Sequence, residues 1–226
     1  TVPHLYPESQ MFREMPDVLA TGYMVGLLEW ACIEALRPLE RRGYEAIGVD
    51  ASPALVKVAR RTAPSAVVHH RSVYDFPLPK CDAVTAIGEV LSYFPPGRTA
   101  KPALASLFRR VAAALRPGGL FVFDIMVAMR ATPPAYRSWR AGESWAMIAD
   151  VRENARRSRL TRDIVTFRRV GRGYRRGHER HVLAIERRDV ITAALRRAGF
   201  SVHTSTRYGD AKLAPGRLVF VAHKRG

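Results

Sequence analysis

Residues 43–64 read GYEAIGVDASPALVKVARRTAP and place a short apolar run directly before a helical stretch. The run at 45–50 has the length and composition of a strand. Ser52 and Pro53 predict the start of the helix, because serine caps a helix end and proline suits the first helical position. We expect this helix to reach Thr62. A strand followed at once by a helix is the unit from which parallel sheets are built.

The same alternation extends to both sides of this stretch. Further strands are predicted at residues 24–32, 66–70, 83–88 and 120–125. Further helices are predicted at residues 34–42 and 102–116. The run Pro117-Gly118-Gly119 is expected to end the second of these helices. The pattern predicts an α/β protein with a Rossmann-like, doubly wound and mainly parallel seven-stranded sheet.

The pattern changes after residue 128, where polar and apolar residues alternate in a way typical of an antiparallel layer. Three such strands are predicted at residues 143–153, 159–170 and 173–186, after a linker at 129–143. Gly171-Arg172-Gly173 is a candidate hairpin turn. A helix at 187–200, ended by Gly199, and two strands at 201–209 and 217–224 then complete the core.

The predicted organisation therefore has four parts. They are an N-terminal arm (1–23), a ligand-binding core (24–128), an antiparallel β insertion after the fifth strand (129–186) and a C-terminal helix with closing strands (187–226).

The charge balance is strongly basic. The 226 residues include 37 lysines and arginines against 20 acidic residues, which gives a net charge of +17, and 32 of the 37 are arginine. Such a surplus attracts nucleic acid, acidic lipid or anionic ligands. It is densest between Arg152 and Arg188, in the predicted insertion. The arginines around Tyr174 either contact an anionic partner or form a solvated hairpin.

Several protein classes are not expected. There is no apolar run of the roughly 20 residues that a membrane span needs, and the first residues lack the pattern of a signal peptide. Cys32 and Cys81 make neither a disulfide framework nor a zinc ligand set. His178 and His181 are three apart, which in a strand places them on opposite faces. We expect a cytoplasmic protein without a bound metal.

Acidic residues stand where the predicted strands end. Ligands of open parallel sheets bind beyond the carboxyl ends of the strands. Asp50 ends one strand and is placed to accept hydrogen bonds from ribose hydroxyls. Asp75 with Phe76 follows the next strand, where a carboxylate and an aromatic ring suit an adenine base.

Three segments, residues 43–64, 72–94 and 107–125, resemble class I S-adenosylmethionine-dependent methyltransferases of the small-molecule type. The resemblance covers residues 24–126 and extends loosely to the C-terminus. It implies S-adenosylmethionine as cofactor, with Asp50 at its ribose and Asp75 at the adenine amino group. The cofactor-binding residues that the resemblance implies are Glu29, Ala31, Asp50, Ala51, Tyr74, Asp75, Phe76, Ile87 and Gly88.

One departure from the family concerns its glycine-rich turn after the first strand, where glycine lets the backbone approach the cofactor. Here residues 29–34 read EWACIE and contain no glycine. Three explanations stay open: a loop missing from the chain, a variant that still binds cofactor, or a domain that no longer binds it.

The resemblance implies methyl transfer to a nitrogen or oxygen nucleophile of a small molecule. Positioning is most of such catalysis, since the sulfonium is already an activated donor. A general base helps with a hydroxyl or ammonium acceptor, and the candidates are His181, Glu89 and Tyr93. The alternatives are an RNA methyltransferase and a non-catalytic domain of the same ancestry. The resemblance also implies that the insertion at 129–186 forms a lid over the acceptor or a dimer surface, so a homodimer is a further expectation.

Overall fold

The computed structural model describes residues 45–62, 64–94, 100, 103–128, 135–154, 156, 158–214 and 216–226. The predicted N-terminal arm, first strand and first helix lie outside the described residues, and so do Glu29 and Ala31. No helix among the described residues is long and apolar enough to cross a membrane.

The chain divides into two compact units. The first unit contains the described residues up to His70 with Ala135–Arg152 and Thr161–His181, and the second contains Arg71–Pro134, Glu153–Leu160 and Val182–Gly226.

Three α-helices and twelve strands lie within the described residues. The helices are α1 (Pro53–Thr62), α2 (Leu104–Ala114) and α3 (Arg188–Arg197), with a short 3₁₀ helix at Val90–Ser92. The strands are β1 (Ile47–Asp50), β2 (Val67–His70), β3 (Cys81–Ala86), β4 (Leu115–Met126), β5 (Ala135–Gly142), β6 (Trp145–Asn154), β7 (Arg159–Val170), β8 (Gly173–Ala184), β9 (Phe200–Ser205), β10 (Arg207–Tyr208), β11 (Ala211–Lys212) and β12 (Arg217–Lys224).

The strand and the helix predicted within residues 45–62 are confirmed. Strands β1 and β2 are parallel, with Asp50 opposite His70, and helix α1 connects them. The Ser52 hydroxyl accepts a hydrogen bond from the backbone N–H of Leu55 at 3.4 Å, so serine caps the helix. The predicted end of this helix at Thr62 is confirmed.

The second unit contains a four-stranded sheet of order β3-β4-β12-β9. Strands β3 and β4 are parallel, whereas β12 is antiparallel to both of its neighbours. The predicted late helix and closing strands are confirmed as α3, β9 and β12, and Gly199 follows the helix with a φ of 94°. The described strands do not establish one mainly parallel sheet of seven, which stays a prediction.

Aromatic side chains form the centre of this unit. Phe108, Phe121, Phe123 and Phe220 are fully buried. The ring of Phe123 stacks on Phe121 at 4.6 Å and on Phe220 at 5.0 Å between centroids. These contacts join helix α2, β4 and β12 into one apolar core.

Helix α2 ends at Ala114, just before Pro117-Gly118-Gly119 as expected, and these three residues lie inside β4. Cys81 of β3 pairs with Leu115, but Ala83 pairs with Leu120, so the extra residues of β4 form a bulge. Gly118 has a φ of 75°. A Cβ at Gly119 would approach the carbonyl oxygen of Arg116 to 2.8 Å. The two glycines therefore allow the bulge that follows the end of the helix.

The insertion contains four strands, in the order β5-β6-β7-β8, where three were predicted. Residues 135–142 of the expected linker form β5, which is antiparallel to β6 from Ala135 opposite Arg152 to Gly142 opposite Trp145. All eight residues of β5 are exposed. The sequence therefore lacks the alternation that marks a half-buried strand. The three predicted strands and the turn at Gly171 are confirmed.

Candidate functional site

Asp50 ends strand β1 with half of its carboxylate engaged. Its Oδ1 accepts a hydrogen bond from the backbone N–H of Ser52 at 2.6 Å, whereas its Oδ2 makes no hydrogen bond to a described residue. The next residue, Ala51, is exposed, and its carbonyl oxygen accepts a hydrogen bond from His70 Nε2 at 3.0 Å. The first unit thus presents an available carboxylate oxygen at the carboxyl end of a parallel strand.

In the second unit, residues 72–76 form a tight turn. The backbone N–H groups of Asp75 and Phe76 both donate to the carbonyl oxygen of Ser72 at 3.0 Å. The N–H of Tyr74 donates to the Ser72 hydroxyl at 3.2 Å. Phe76 is buried, whereas Asp75 is exposed. The turn therefore anchors its ring and leaves its carboxylate at the surface.

Tyr74 fastens the same turn through its side chain. Its hydroxyl donates to the carbonyl oxygen of Leu91 at 2.8 Å. Burial raises the pKa of Tyr74 above its usual range, so the phenol stays protonated and keeps donating. Tyr74 thus supports the turn by position and not by proton transfer.

Gly88 and Glu89 follow strand β3 with φ angles of 95° and 63°. Both backbone N–H groups donate to Asp124 Oδ1, at 2.6 and 2.9 Å. Just beyond them, the Ser92 hydroxyl accepts a hydrogen bond from the backbone N–H of Met126 at 2.9 Å. The end of β4 therefore holds this left-handed turn in place.

Glu89, a predicted general base, is buried in an ion pair. Arg217 donates to its Oε1 from Nε at 2.8 Å and from Nη2 at 2.6 Å. Both side chains are less than one-tenth exposed. A buried carboxylate that a guanidinium occupies is not accessible to an acceptor, so this geometry favours a structural role for Glu89.

Asp124 completes the cluster from β4. Its Oδ2 has no hydrogen-bond partner among the described residues, and Nε of Arg217 lies 3.4 Å away. Burial is the main cause that raises the pKa of Asp124, against the lowering effect of the Glu89 and Gly88 N–H groups and of Arg217. The cluster thus joins two buried carboxylates to one guanidinium.

Asp124→Asn should change how the free energy of unfolding depends on pH. A carboxyl whose pKa is higher in the folded than in the unfolded state takes up a proton on folding. Its contribution to the free energy of unfolding therefore falls as pH rises from 3.8, the ordinary pKa of an aspartate, through the raised pKa of the folded protein. We expect the wild type to gain stability relative to Asp124→Asn as pH falls through that window. Urea unfolding of both proteins at several pH values measures this. Asp82→Asn, which removes an exposed carboxylate from β3, is the control. A wild-type-minus-variant difference that does not vary with pH would refute the assignment.

The remaining predicted residues fall in both units. In the second unit, Ile87 is half-buried after β3, and Tyr93 forms a β-bridge to Leu183. In the first, His181 lies on β8 with its Nε2 at 3.2 Å from Glu179 Oε2. The His181 side chain is 14% exposed and that of His178 is 47% exposed, as opposite faces of a strand require. The described residues contain no group of three or more metal-ligating side chains.

Sequence reasoning missed Arg217 and Arg110 and gave Asp124 no role. Asp124 and Arg217 each interrupt or flank an otherwise apolar strand, LFVFDI and RLVFVA. A charged residue in a buried run requires a partner, and that was the available signal. Which charges pair depends on the strand order, which the sequence does not specify.

Comparison with known proteins identifies the domain. Residues 32–123 match the profile of a family described as a methyltransferase domain. Residues 32–123, which are less than half of the chain, thus form a methyltransferase domain. The cofactor that the family resemblance implies is S-adenosylmethionine. The matched range begins at Cys32, so Glu29 and Ala31 lie outside it.

Solved structures share the fold of this methyltransferase. The sugar N-methyltransferase KedS8 of a Streptoalloteichus species is 24% identical with a TM-score of 0.62, over 80% of this chain and 71% of that chain. The S-adenosylmethionine-bound amino pentose methyltransferase CalS10 of Micromonospora echinaspora is 21% identical with a TM-score of 0.63, over 80% of this chain and 74% of that chain.

One curated protein matches a short stretch. Fluoroacetyl-CoA thioesterase of Streptantibioticus cattleyicolor is 56% identical over 48 residues, which are 21% of this chain. The chain spans about a third (34%) of that protein's length.

The described residues fit the cofactor chemically, each unit by itself. Asp50 retains a carboxylate oxygen that can accept hydrogen bonds from vicinal hydroxyls. The turn at 72–76 combines an exposed carboxylate, Asp75, with the rings of Tyr74 and Phe76. These are the groups that ribose and adenine require.

Proposed function

We propose that this methyltransferase transfers a methyl group to a nitrogen or oxygen nucleophile of a small molecule. The observation that carries the proposal is the available carboxylate oxygen of Asp50 at the end of β1, within a methyltransferase domain. When bound, S-adenosylmethionine supplies a methyl group that its sulfonium has already activated. The protein then has to hold the cofactor and bring the acceptor into line.

We assign the cofactor contacts to the residues that carry the required chemistry. Asp50 accepts hydrogen bonds from the ribose hydroxyls, and Ala51 flanks the adenine. Asp75 accepts one from the adenine amino group, beside the rings of Tyr74 and Phe76. Ile87 and Gly88 lie beside the methionine part, where the absence of a side chain at Gly88 leaves room. Glu29 and Ala31 belong to the same proposed set.

We propose His181 as the general base, with Tyr93 as a second proton-handling group. The carboxylate of Glu179 lies 3.2 Å from His181 Nε2, and such a partner fixes the tautomer and the orientation of the imidazole. Glu89 stays a candidate with less support, because its ion pair with Arg217 occupies it.

The acceptor class we favour is an amino sugar or a similar small amine. Two proteins that share the fold are described as a sugar N-methyltransferase and an amino pentose methyltransferase. An amine that arrives protonated must lose a proton before it attacks, which gives His181 a task. RNA is the second candidate acceptor, because Arg172, Arg175 and Arg176 are exposed at the β7–β8 hairpin.

His181→Ala should lower kcat about a hundredfold with an amine acceptor, since general-base catalysis contributes roughly 10²–10⁴. The assay measures transfer from methyl-labelled S-adenosylmethionine to a panel of amino sugars and to RNA. We expect sugar methylation that varies little with salt. The dissociation constant of S-adenosylmethionine should stay unchanged.

The matched control is His178→Ala, which removes an exposed imidazole from the same strand. It should keep wild-type kcat. Equal losses in both variants would refute the role of His181. Labelling of RNA alone, with binding that weakens steeply between low and moderate salt, would replace the small-molecule proposal with the RNA one.

A further inference from the structure

Arg110 occupies a core-facing position of helix α2. The helix buries Leu107, Val111 and Ala114. Arg110 lies three positions after Leu107 and four before Ala114. That spacing puts Arg110 on the buried stripe. Its neighbour Arg109 is exposed, whereas Arg110 is partly buried. A guanidinium at a position where an apolar side chain is expected needs hydrogen-bond partners.

Those partners are backbone carbonyl groups of the turn at 72–76. Arg110 Nη1 donates to the carbonyl oxygen of Tyr74 at 2.5 Å. Its Nη2 donates to the carbonyl oxygens of Val73, at 3.3 Å, and of Phe76. One side chain therefore ties three of the turn's carbonyl groups to the helix.

The carbonyl groups of the turn favour a positive charge beside them. Its N–H groups bond inward to Ser72, so three carbonyl oxygens converge on the other side. Dipoles aimed at one place repel each other unless positive charge lies between them. A planar guanidinium with several N–H donors suits three acceptors, whereas an ammonium is a point charge on a flexible stem.

We propose that Arg110 is a positioning residue that fixes the turn so that Asp75 can recognise the amino group of adenine. The inference rests on the proposed function, in which Asp75 contacts the base. The Tyr74 hydroxyl anchors one side of the turn at Leu91, and Arg110 anchors the backbone on both sides of Asp75. Arg110 itself touches no cofactor.

The experiment measures discrimination between two bases. S-adenosylhomocysteine carries the adenine amino group, and S-inosylhomocysteine carries a carbonyl oxygen in its place. Calorimetry gives both dissociation constants for the wild type, Arg110→Ala, Arg110→Lys and Arg109→Ala. We expect the wild type and Arg109→Ala to prefer the adenine ligand by at least about tenfold, because a site built for a hydrogen bond rejects a ligand that lacks it.

Arg110→Ala should bind S-adenosylhomocysteine about tenfold more weakly and should prefer it by less than about threefold. Arg110→Lys keeps a cation against the carbonyl groups, and it should fold while losing part of the preference. A general loss of stability would weaken both ligands equally, so the ratio reports on positioning.

Three results would contradict these expectations, and each overturns a different claim. Full discrimination in Arg110→Ala, or in Arg110→Lys should the alanine variant not fold, overturns the role of Arg110. A wild type that binds both ligands equally well overturns the role of Asp75 and this inference with it. A wild type that binds neither ligand overturns the proposed function itself.

Discussion

Asp50→Asn should weaken the binding of S-adenosylmethionine about a hundredfold. Each hydrogen bond to a charged group contributes roughly 1.5–3 kcal/mol, and the proposed ribose contact includes two. The asparagine amide oxygen can still accept the hydrogen bond from Ser52, so the turn into α1 is kept. What the variant loses is the charge and the Oδ2 acceptor that no described residue uses.

Calorimetry with S-adenosylmethionine measures this effect directly. A second readout is thermal stability. A ligand that binds only the folded state raises the free energy of unfolding, and the increase grows with the logarithm of the ratio of ligand concentration to dissociation constant. Saturating cofactor should stabilise the wild type and Asp82→Asn, the exposed-carboxylate control. It should stabilise Asp50→Asn far less. Binding by Asp50→Asn within threefold of the wild type would mean that Asp50 does not hold the ribose.

The stretch from residue 43 to 64 predicted its own structure because the signals there are local. Serine at a helix start and proline after it act through their own backbone, and Ser52 caps α1 as expected. The closing helix was predicted for the same reason, with Gly199 in the left-handed conformation at its end.

Local signals failed where the structure depends on pairing. Strand β5 exposes every residue, so it carries no buried face for a periodicity to mark. The bulge at Gly118 and Gly119 exists only because β4 pairs with β3 in a shifted register. Proline and glycine correctly indicate that the helix ends here, but they do not reveal the strand pairing that follows.

The sequence predicted the carboxylates of the candidate site but not the arginines that support it. Asp50 and Asp75 stand at positions that any open parallel sheet makes available. Arg110 and Arg217 matter through partners that lie 34 and 128 residues away in sequence. Such pairs follow from strand order and helix packing. Arg110 and Arg217 are thus two arginines of the basic surplus that are explained by contacts within the protein, without an anionic ligand.

Phe123→Ala should cost about 3–5 kcal/mol of the free energy of unfolding, the range for removing a buried phenylalanine ring. Phe123 is fully buried. Its ring stacks on Phe121 and Phe220 and lies 5.5 Å from Phe108. These neighbours come from α2, β4 and β12, so the cavity would open where all three meet.

Urea unfolding followed by far-ultraviolet circular dichroism measures this cost. Circular dichroism is the suitable probe because both described tryptophans, Trp139 and Trp145, lie in the first unit, whereas Phe123 lies in the second. Phe123→Leu, which keeps most of the apolar volume, should lose less than half as much. Tyr136→Ala, at an exposed position of β5, should change the free energy by less than about 0.5 kcal/mol.

A loss below about 1 kcal/mol in Phe123→Ala would mean that the ring does not centre the core. The expected loss also bears on the site, since Asp124 follows Phe123 directly and points its carboxylate at the N–H groups of Gly88 and Glu89. Phe220, the partner of Phe123 across the sheet, lies on the strand that begins with Arg217. The aromatic core thus sets the register that brings Arg217 to Glu89, and Phe123→Ala should loosen the turn after β3 together with the core.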